Sequence, residues 1–306
     1  MVPPGPEKKW THGPFNPVIE DGVLYGRGAS DMKGSVAAFA AAALAHVKNG
    51  APKGSISLLI TGDEEGPAVD GTVKVLEWMK DNSHLPDVCL VGEPTNPNHL
   101  GQEIKIGRRG SVTGRLKVQG KQGHVAYPER SDNPLPRLVK LLAALESYVF
   151  DNGNEFFAAT NLEITSIDVG NIADNVIPDT GSAVFNVRFN SNWTKETLSK
   201  KIVDILDETG LHYELVLSGN SPSFVTQPGP WSDTVRQAVQ DVTGKTAKFT
   251  TSGGTSDARF IFKYCPVVEF GPVNATIHQI DENADVEILQ DLTKIYRRIL
   301  EIYFKS

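Results

Sequence analysis

Asp31 in GRGASDMKG, the adjacent pair Glu64 and Glu65 in LLITGDEEG, Glu93 in CLVGEPT and His278 in NATIHQIDE stand in glycine-bounded loops or just after apolar runs. Carboxylates with an imidazole form a donor set that suits Zn(II), Mn(II) or Co(II), and catalytic zinc keeps one position open for water. A carboxylate beyond the ligands required can act as general base on that water, whose pKa a metal lowers from 15.7 to roughly 7. Side chains of adjacent residues diverge, so one of Glu64 and Glu65 can bind metal while the other faces the water. Taken singly, each acid is a turn former or a helix cap. Carboxylates from three places in the chain and a histidine converging on one edge are harder to dismiss, because like charges so close repel unless a cation sits among them.

Convergence requires strands that end at one edge, and the chain supplies them. The first thirty residues are rich in Pro and Gly, with a short hairpin around the Asp21-Gly22 turn. An Ala-rich helix is expected from Gly34 to Lys48, ended by Asn49-Gly50. The continuous apolar runs SISLLIT (55–61) and DVCLVG (87–92) read as buried strands, with a helix near 71–82 between them. From about Gly110 the texture changes. SVTGRLKVQG alternates apolar and polar residues, as a half-exposed antiparallel strand does, and it is expected to present an uncovered edge. Helices at 134–149 and 194–209, with strands at 161–169, 181–189 and 211–217, complete a β-α-β-β-α-β order. The Pro-rich stretch 221–230 reads as a return linker. A helix at 231–243, the segment SGGTSDARF, the strand PVVEFG and a last amphipathic helix resume the first texture. The expected fold is α/β: a mixed, largely parallel sheet with helices on both faces, interrupted by a ferredoxin-like α+β domain. The expected boundaries are 1–109 and 223–306 for the discontinuous domain and 110–222 for the insertion. Open α/β sheets bind ligands outside the carboxyl ends of their strands, where Glu64, Glu65 and Glu93 stand.

Composition narrows the function classes. The 306 residues carry a formal charge of −7, so no global positive field favours a nucleic-acid partner. No run reaches the ~18 apolar residues of a membrane span. Cys89 and Cys265 cannot build a disulfide scaffold, and each sits in an apolar run, which points to reduced thiols and the cytoplasm. The N-terminal MVPPGPEKKW has no apolar core of a signal peptide. Neither GRGASD nor SGGTSD fits a phosphate loop, and no G-x-S-x-G nucleophile elbow occurs.

GRGASDMKG, the strand-end EEG, VGEPT, GRRGS, GKQGHVAYP, SGGTSDARF and NATIHQIDE together resemble the co-catalytic di-zinc deacylases and exopeptidases, along the whole chain. Within that family the likeness is greatest to the members that remove succinate from N-succinyl-LL-2,6-diaminopimelate in bacterial lysine biosynthesis. The resemblance implies a zinc-exopeptidase-like catalytic domain with an inserted dimerisation domain. It implies that Asp31 bridges two metal ions, Glu64 is the general base, Glu65 and His278 hold one ion, and Glu93 helps to hold the other. It implies that His124 reaches a partner subunit's active site in a homodimer and stabilises the oxyanion. Arg108, Ser111, Tyr127, Asn175, Arg188, Gly254 and Thr255 match the family's substrate-binding positions, and an acidic protein that holds a polycarboxylate needs such arginines.

One departure accompanies the match. The family has HTDV before VPPG, whose His ligates the metal shared with Glu93, whereas Met1 stands there in this sequence. The expectation is an N-terminally truncated chain, with about one tight Zn2+ site, replaceable by Co2+ or Mn2+, instead of two. His12 in WTHGPF is not expected to substitute, since the family carries that segment as well. Two alternatives stay open: a relative acting on another acyl amino acid or a dipeptide, such as an acetylornithine deacetylase, and a catalytically impaired fragment.

Overall fold

Asp21 and Gly22 both adopt positive φ, 49° and 81°, and reverse the chain between the strands Val18–Glu20 and Val23–Tyr25. This is the backbone that favours Asp-Gly at a two-residue hairpin turn. A third strand, Asn283–Asp285, pairs antiparallel with Val23–Tyr25. The computed structural model describes residues 1–48, 50 and 52–305, so Asn49, expected to end the first helix, lies outside the described residues.

The chain divides into two units. The first comprises Met1–Gly107, Val225–Thr251 and Ser256–Ser306. Its main sheet has four short strands, with Lys248–Thr250 parallel to Glu103–Lys105 and Val267–Glu269 parallel to Cys89–Val91. Val267–Glu269 and Glu103–Lys105 meet antiparallel, which makes the sheet mixed. The helices Gly34–Val47, Thr72–Asp81, Pro230–Thr243 and Val286–Tyr303 belong to the same unit. The last begins at Asp285, whose carboxylate accepts the N–H groups of Glu287 and Ile288 at 2.8 and 3.1 Å and so satisfies donors that a helix start leaves open. Its apolar stripe buries Leu292, Ile295, Tyr296 and Ile299, and Tyr296 stacks on Phe39 of the first helix with centroids 4.0 Å apart.

One expectation fails here. The run 55–61 belongs to no strand ladder, and Leu58, Leu59 and Ile60 are exposed. A continuous apolar run becomes a buried strand only when neighbours take its N–H and C=O groups. Among the described residues no strand lies alongside it.

The second unit comprises Arg108–Phe224 and Ser252–Thr255. Its antiparallel sheet runs in the order Glu214–Ser221, Gly110–Gln119, Thr180–Phe189, Asn161–Asp168. The alternating strand Gly110–Gln119 is therefore central, and the edges are Asn161–Asp168 and Glu214–Ser221. This corrects the expectation of an uncovered edge there: alternation reports which face is buried, not how many neighbours a strand has. The helices Leu135–Glu146 and Lys195–Asp207 bury Leu138, Leu141, Leu145, Leu198 and Ile202 in a core with Val112, Leu116, Phe185 and Phe189. Gly110 lies opposite Phe189 and Gly114 opposite Phe185, and a Cβ on either glycine would come within 2.2 Å of the facing ring.

Candidate metal centre

Three loops of the first unit place the acidic and imidazole groups. Asp31 lies in the irregular segment between the hairpin and the first helix, where Gly28 takes φ 89° and the Asp31–Met32 peptide is cis. Glu64 and Glu65 follow the apolar run 55–61. That loop is closed by Asp63, whose carboxylate accepts the N–H groups of Val69 and Asp70 at 2.8 and 3.1 Å. His278 adopts φ 62° in a loop closed by Thr276 and Asn283: the Thr276 hydroxyl donates to the Asn283 carbonyl at 3.0 Å and accepts its N–H at 3.1 Å.

These loops bring three of the expected ligands together. His278 Nε2 lies 3.1 Å from Glu65 Oε1 and 3.2 Å from Asp31 Oδ2, and one donor atom from each residue falls within 4.8 Å of the others. One imidazole nitrogen and two carboxylate oxygens at that spacing fit a divalent ion such as Zn2+. Glu93 follows the strand Cys89–Val91 and stands outside this three-donor group. His12 is engaged elsewhere, with Nε2 3.0 Å from Glu20 Oε2 and its ring against Tyr25.

Electrostatics mark the same place. Burial, then the Glu65 charge, raises the Asp31 carboxyl above its usual range, against the lowering effect of His278. Burial, then the charges of Asp257 and Glu65, pushes Glu64 up to about 7. Carboxylates crowded in this way are what a bound cation would relieve.

Asp257 and Glu282 carry no role in the sequence reading, yet both are buried beside these loops. Thr72, at the first turn of its helix, donates its hydroxyl to Asp257 Oδ2 at 2.6 Å. Its oxygen also lies 2.7 Å from the Thr61 hydroxyl. Thr72 has one proton and gives it to Asp257, so Thr61 is the donor in that second contact. The Glu282 carboxylate accepts the N–H groups of Gly28, Ser30 and Asp31. SGGTSDARF and NATIHQIDE contain these two acids, but nothing in their spacing separates a buried hydrogen-bonded acid from a solvated one.

The second unit carries the other expected residues. Arg108 is buried, and its Nη1 donates to the Gly254 carbonyl at 3.1 Å, which ties it to the segment of Gly254 and Thr255. Arg188 lies opposite Ser111 in the sheet, and the Ser111 hydroxyl accepts from Asn186 Nδ2 at 3.1 Å. Burial, then the neighbouring Arg109, lowers the pKa of Arg188. His124 and Tyr127 share an exposed turn, their rings edge to face at 5.7 Å. Asn175 joins that turn by accepting the Val125 N–H at 3.1 Å. The Ala126 N–H donates to His124 Nδ1 at 3.0 Å, so the neutral ring carries its proton on Nε2, which leaves that N–H available as a donor.

A two-unit α/β chain with a carboxylate–histidine group at its loop ends has the outline of a metal-dependent hydrolase. The chain belongs to peptidase family M20/M25/M40, whose description matches residues 1–302. It is 54% identical over 308 residues to a succinyl-diaminopimelate desuccinylase of Xanthobacter autotrophicus, covering 100% of this chain and 81% of the relative. It is 56% identical over 305 residues to a protein of the same name from Rhodospirillum centenum, covering 99% and 79%. Among solved structures, the M20 metallo-carboxypeptidase Sso-CP2 of Sulfolobus solfataricus superposes with a TM-score of 0.85 at 17% identity, covering 99% of this chain and 83% of that one. Aminopeptidase PepT of Bacillus cereus gives 0.74 at 20% identity, covering 93% and 75%. These two establish the fold.

Proposed function

We propose that this chain is a metal-dependent amide hydrolase that removes succinate from N-succinyl-LL-2,6-diaminopimelate, releasing LL-2,6-diaminopimelate. The observation that carries this reading is the group Asp31, Glu65 and His278 with Glu64 beside it, in a chain more than half identical to relatives named for that reaction. A divalent ion held there would polarise the amide carbonyl and lower the pKa of water. Asp31, Glu65 and His278 would hold the ion, Zn2+ by preference, with Co2+ or Mn2+ able to replace it. Glu64 takes a proton from the attacking water as its oxygen bonds to the carbonyl carbon. It returns that proton to the nitrogen as the C–N bond breaks. In the metal-free chain burial, then the charges of Asp257 and Glu65, holds the Glu64 carboxyl up to about 7, the direction that favours its taking up a proton.

Asp31 and Glu93 are assigned to a second ion, for which fewer donors are grouped among the described residues, so about one tightly held Zn2+ per chain is expected. In the second unit Arg108, Ser111, Tyr127, Asn175, Arg188, Gly254 and Thr255 are assigned to substrate binding, the two arginines to its carboxylates. The His124 Nε2–H stabilises the oxyanion within a homodimer. Dimerisation is assigned to this unit, where Val139, Ile167 and Val216 are exposed. Among the described residues no helix is long and apolar enough to cross a membrane, in keeping with an enzyme of the cytoplasm.

The test is substrate competition at fixed zinc content. Succinate release from N-succinyl-LL-2,6-diaminopimelate should far exceed acyl release from N-acetylornithine, and comparable turnover of the two would overturn the substrate assignment. Light scattering should give twice the 33.2 kDa chain mass; a monomer at micromolar concentration would remove the dimer and the role of His124 within it.

A further inference from the structure

Glu282 is fully buried, and burying a carboxylate is costly unless it is paired and hydrogen-bonded. Its two oxygens divide the task. Oε2 faces Arg27 Nη1 at 2.5 Å in a buried ion pair. Arg27 itself packs over the Trp10 ring, 5.2 Å from the centroid. Oε1 accepts three backbone N–H groups, from Gly28 at 3.1 Å, Ser30 at 3.1 Å and Asp31 at 3.0 Å. The intervening Ala29 N–H turns away, to the Gly26 carbonyl at 3.0 Å. The loop thus wraps its amides around one oxygen, the kind of concavity that elsewhere binds a free anion. Here the anion is a side chain of the protein.

The position of that anion in the sequence matters. Glu282 stands four residues beyond His278, in the loop pinned by Thr276 and Asn283. Asp281 is held as well, its two oxygens accepting the Thr11 N–H at 2.8 Å and the Thr11 hydroxyl at 2.9 Å. The loop that carries one expected ligand therefore grips the backbone of another, about 250 residues away in sequence. We infer that Glu282 is a positioning residue: its carboxylate in the amide cradle of residues 28–31 fixes Asp31 relative to His278 and so sets the affinity of the metal centre. This rests on the metal-holding roles proposed above and adds the element that fixes their spacing. Partners that orient a ligand without touching the metal typically govern affinity by about 10–100-fold.

Removing Glu282 alone would strand Arg27 as an uncompensated buried charge, so the decisive comparison neutralises both. Arg27→Met/Glu282→Gln keeps an acceptor oxygen in the cradle, whereas Arg27→Met/Glu282→Met removes it at similar volume. Zn2+ affinity of the metal-free proteins is read by competition with a chromophoric chelator. The Gln form is expected to bind within about threefold of the unaltered chain, and the Met form about 10–100-fold more weakly. Equal affinity in the two forms would overturn the inference. Absence of Zn2+ binding by the unaltered chain would instead overturn the metal reading itself. A second measurement needs no variant. In the unaltered metal-free chain, the amides of Gly28, Ser30 and Asp31 are expected to exchange with solvent slowly and at one common rate. Exchange at free-loop rates would show that the cradle does not hold.

Discussion

The Thr72 hydroxyl donates to Asp257 Oδ2 at 2.6 Å across 185 positions of sequence, and through Thr61 the same contact reaches the loop that carries Glu64 and Glu65. Asp257 is 8% exposed, and its other oxygen is buried with no hydrogen-bond partner among the described residues. Thr72→Val keeps the shape but removes the donor, leaving a buried carboxylate without its hydroxyl. The expected cost is about 1–3 kcal/mol in urea unfolding, together with a fall in kcat as the 61–66 loop loosens. Thr72→Ser, which keeps the hydroxyl, should restore both. A Val variant as stable and active as the parent would show that the contact is idle.

Glu64 and Glu65 are neighbours with opposite assignments. Glu64→Gln should lower kcat by at least 100-fold, within the range a general base contributes, while zinc content stays near that of the parent. Glu65→Gln should lose zinc. Elemental analysis beside turnover separates them, and equal zinc loss in both variants would contradict the division of roles.

Chelation should abolish turnover, and added Zn2+ should restore it. After exhaustive dialysis about one zinc per chain should remain, and His278→Ala should retain far less, because the imidazole is the only nitrogen donor in the three-residue group. Two retained ions would require a second site with more donors than the present grouping shows.

Asp151 supplies an acid-sensitive element in the second unit. Burial would raise its carboxyl, but hydrogen bonds from Thr160, Gly153 and Trp193 outweigh that and bring it to about 2. The contacts are short, 2.8 Å from the Gly153 N–H and 2.7 Å from Trp193 Nε1. A carboxyl depressed in the folded state stabilises fully above its ordinary pKa of about 3.9, and that contribution is lost as pH falls toward about 2. The Trp193 indole N–H resonance should therefore titrate near pH 2. Asp151→Asn should flatten the part of the stability loss that the parent shows between about pH 4 and 2. An unchanged slope would contradict the assignment.

Residue types and local spacing marked Asp31, the pair Glu64 and Glu65, Glu93 and His278 as candidates, because each sits in a motif whose loop character is visible in the glycines and acids around it; only the family resemblance divided the roles of Glu64 and Glu65. The supports were hidden. Glu282 meets Arg27 across 255 positions and Asp257 meets Thr72 across 185, separations over which no periodicity extends. The helices were legible to within a few residues, since their signals are local, as in the Asp285 cap and the apolar stripe that follows it. Strand neighbours were less so. The run 55–61 has the composition of a buried strand, but a ladder needs a second backbone. The alternation of 110–119 shows one buried face, yet it looks the same whether one edge or both are paired.

Gly110 and Gly114 are spaced four residues apart, as are Phe189 and Phe185, and each ring seats on the facing glycine. This works as a two-pin key. A slip of two residues would drive one ring into Val112 and a slip of one would turn both rings to the opposite face, so steric shape as well as hydrogen bonding indexes the pairing. Arg188 and Ser111 sit one step inside the first pin and face each other because of it. The loops around the sheet can therefore change length or composition while this arginine keeps its neighbour, since the indexing lies within the strands and not in their connections.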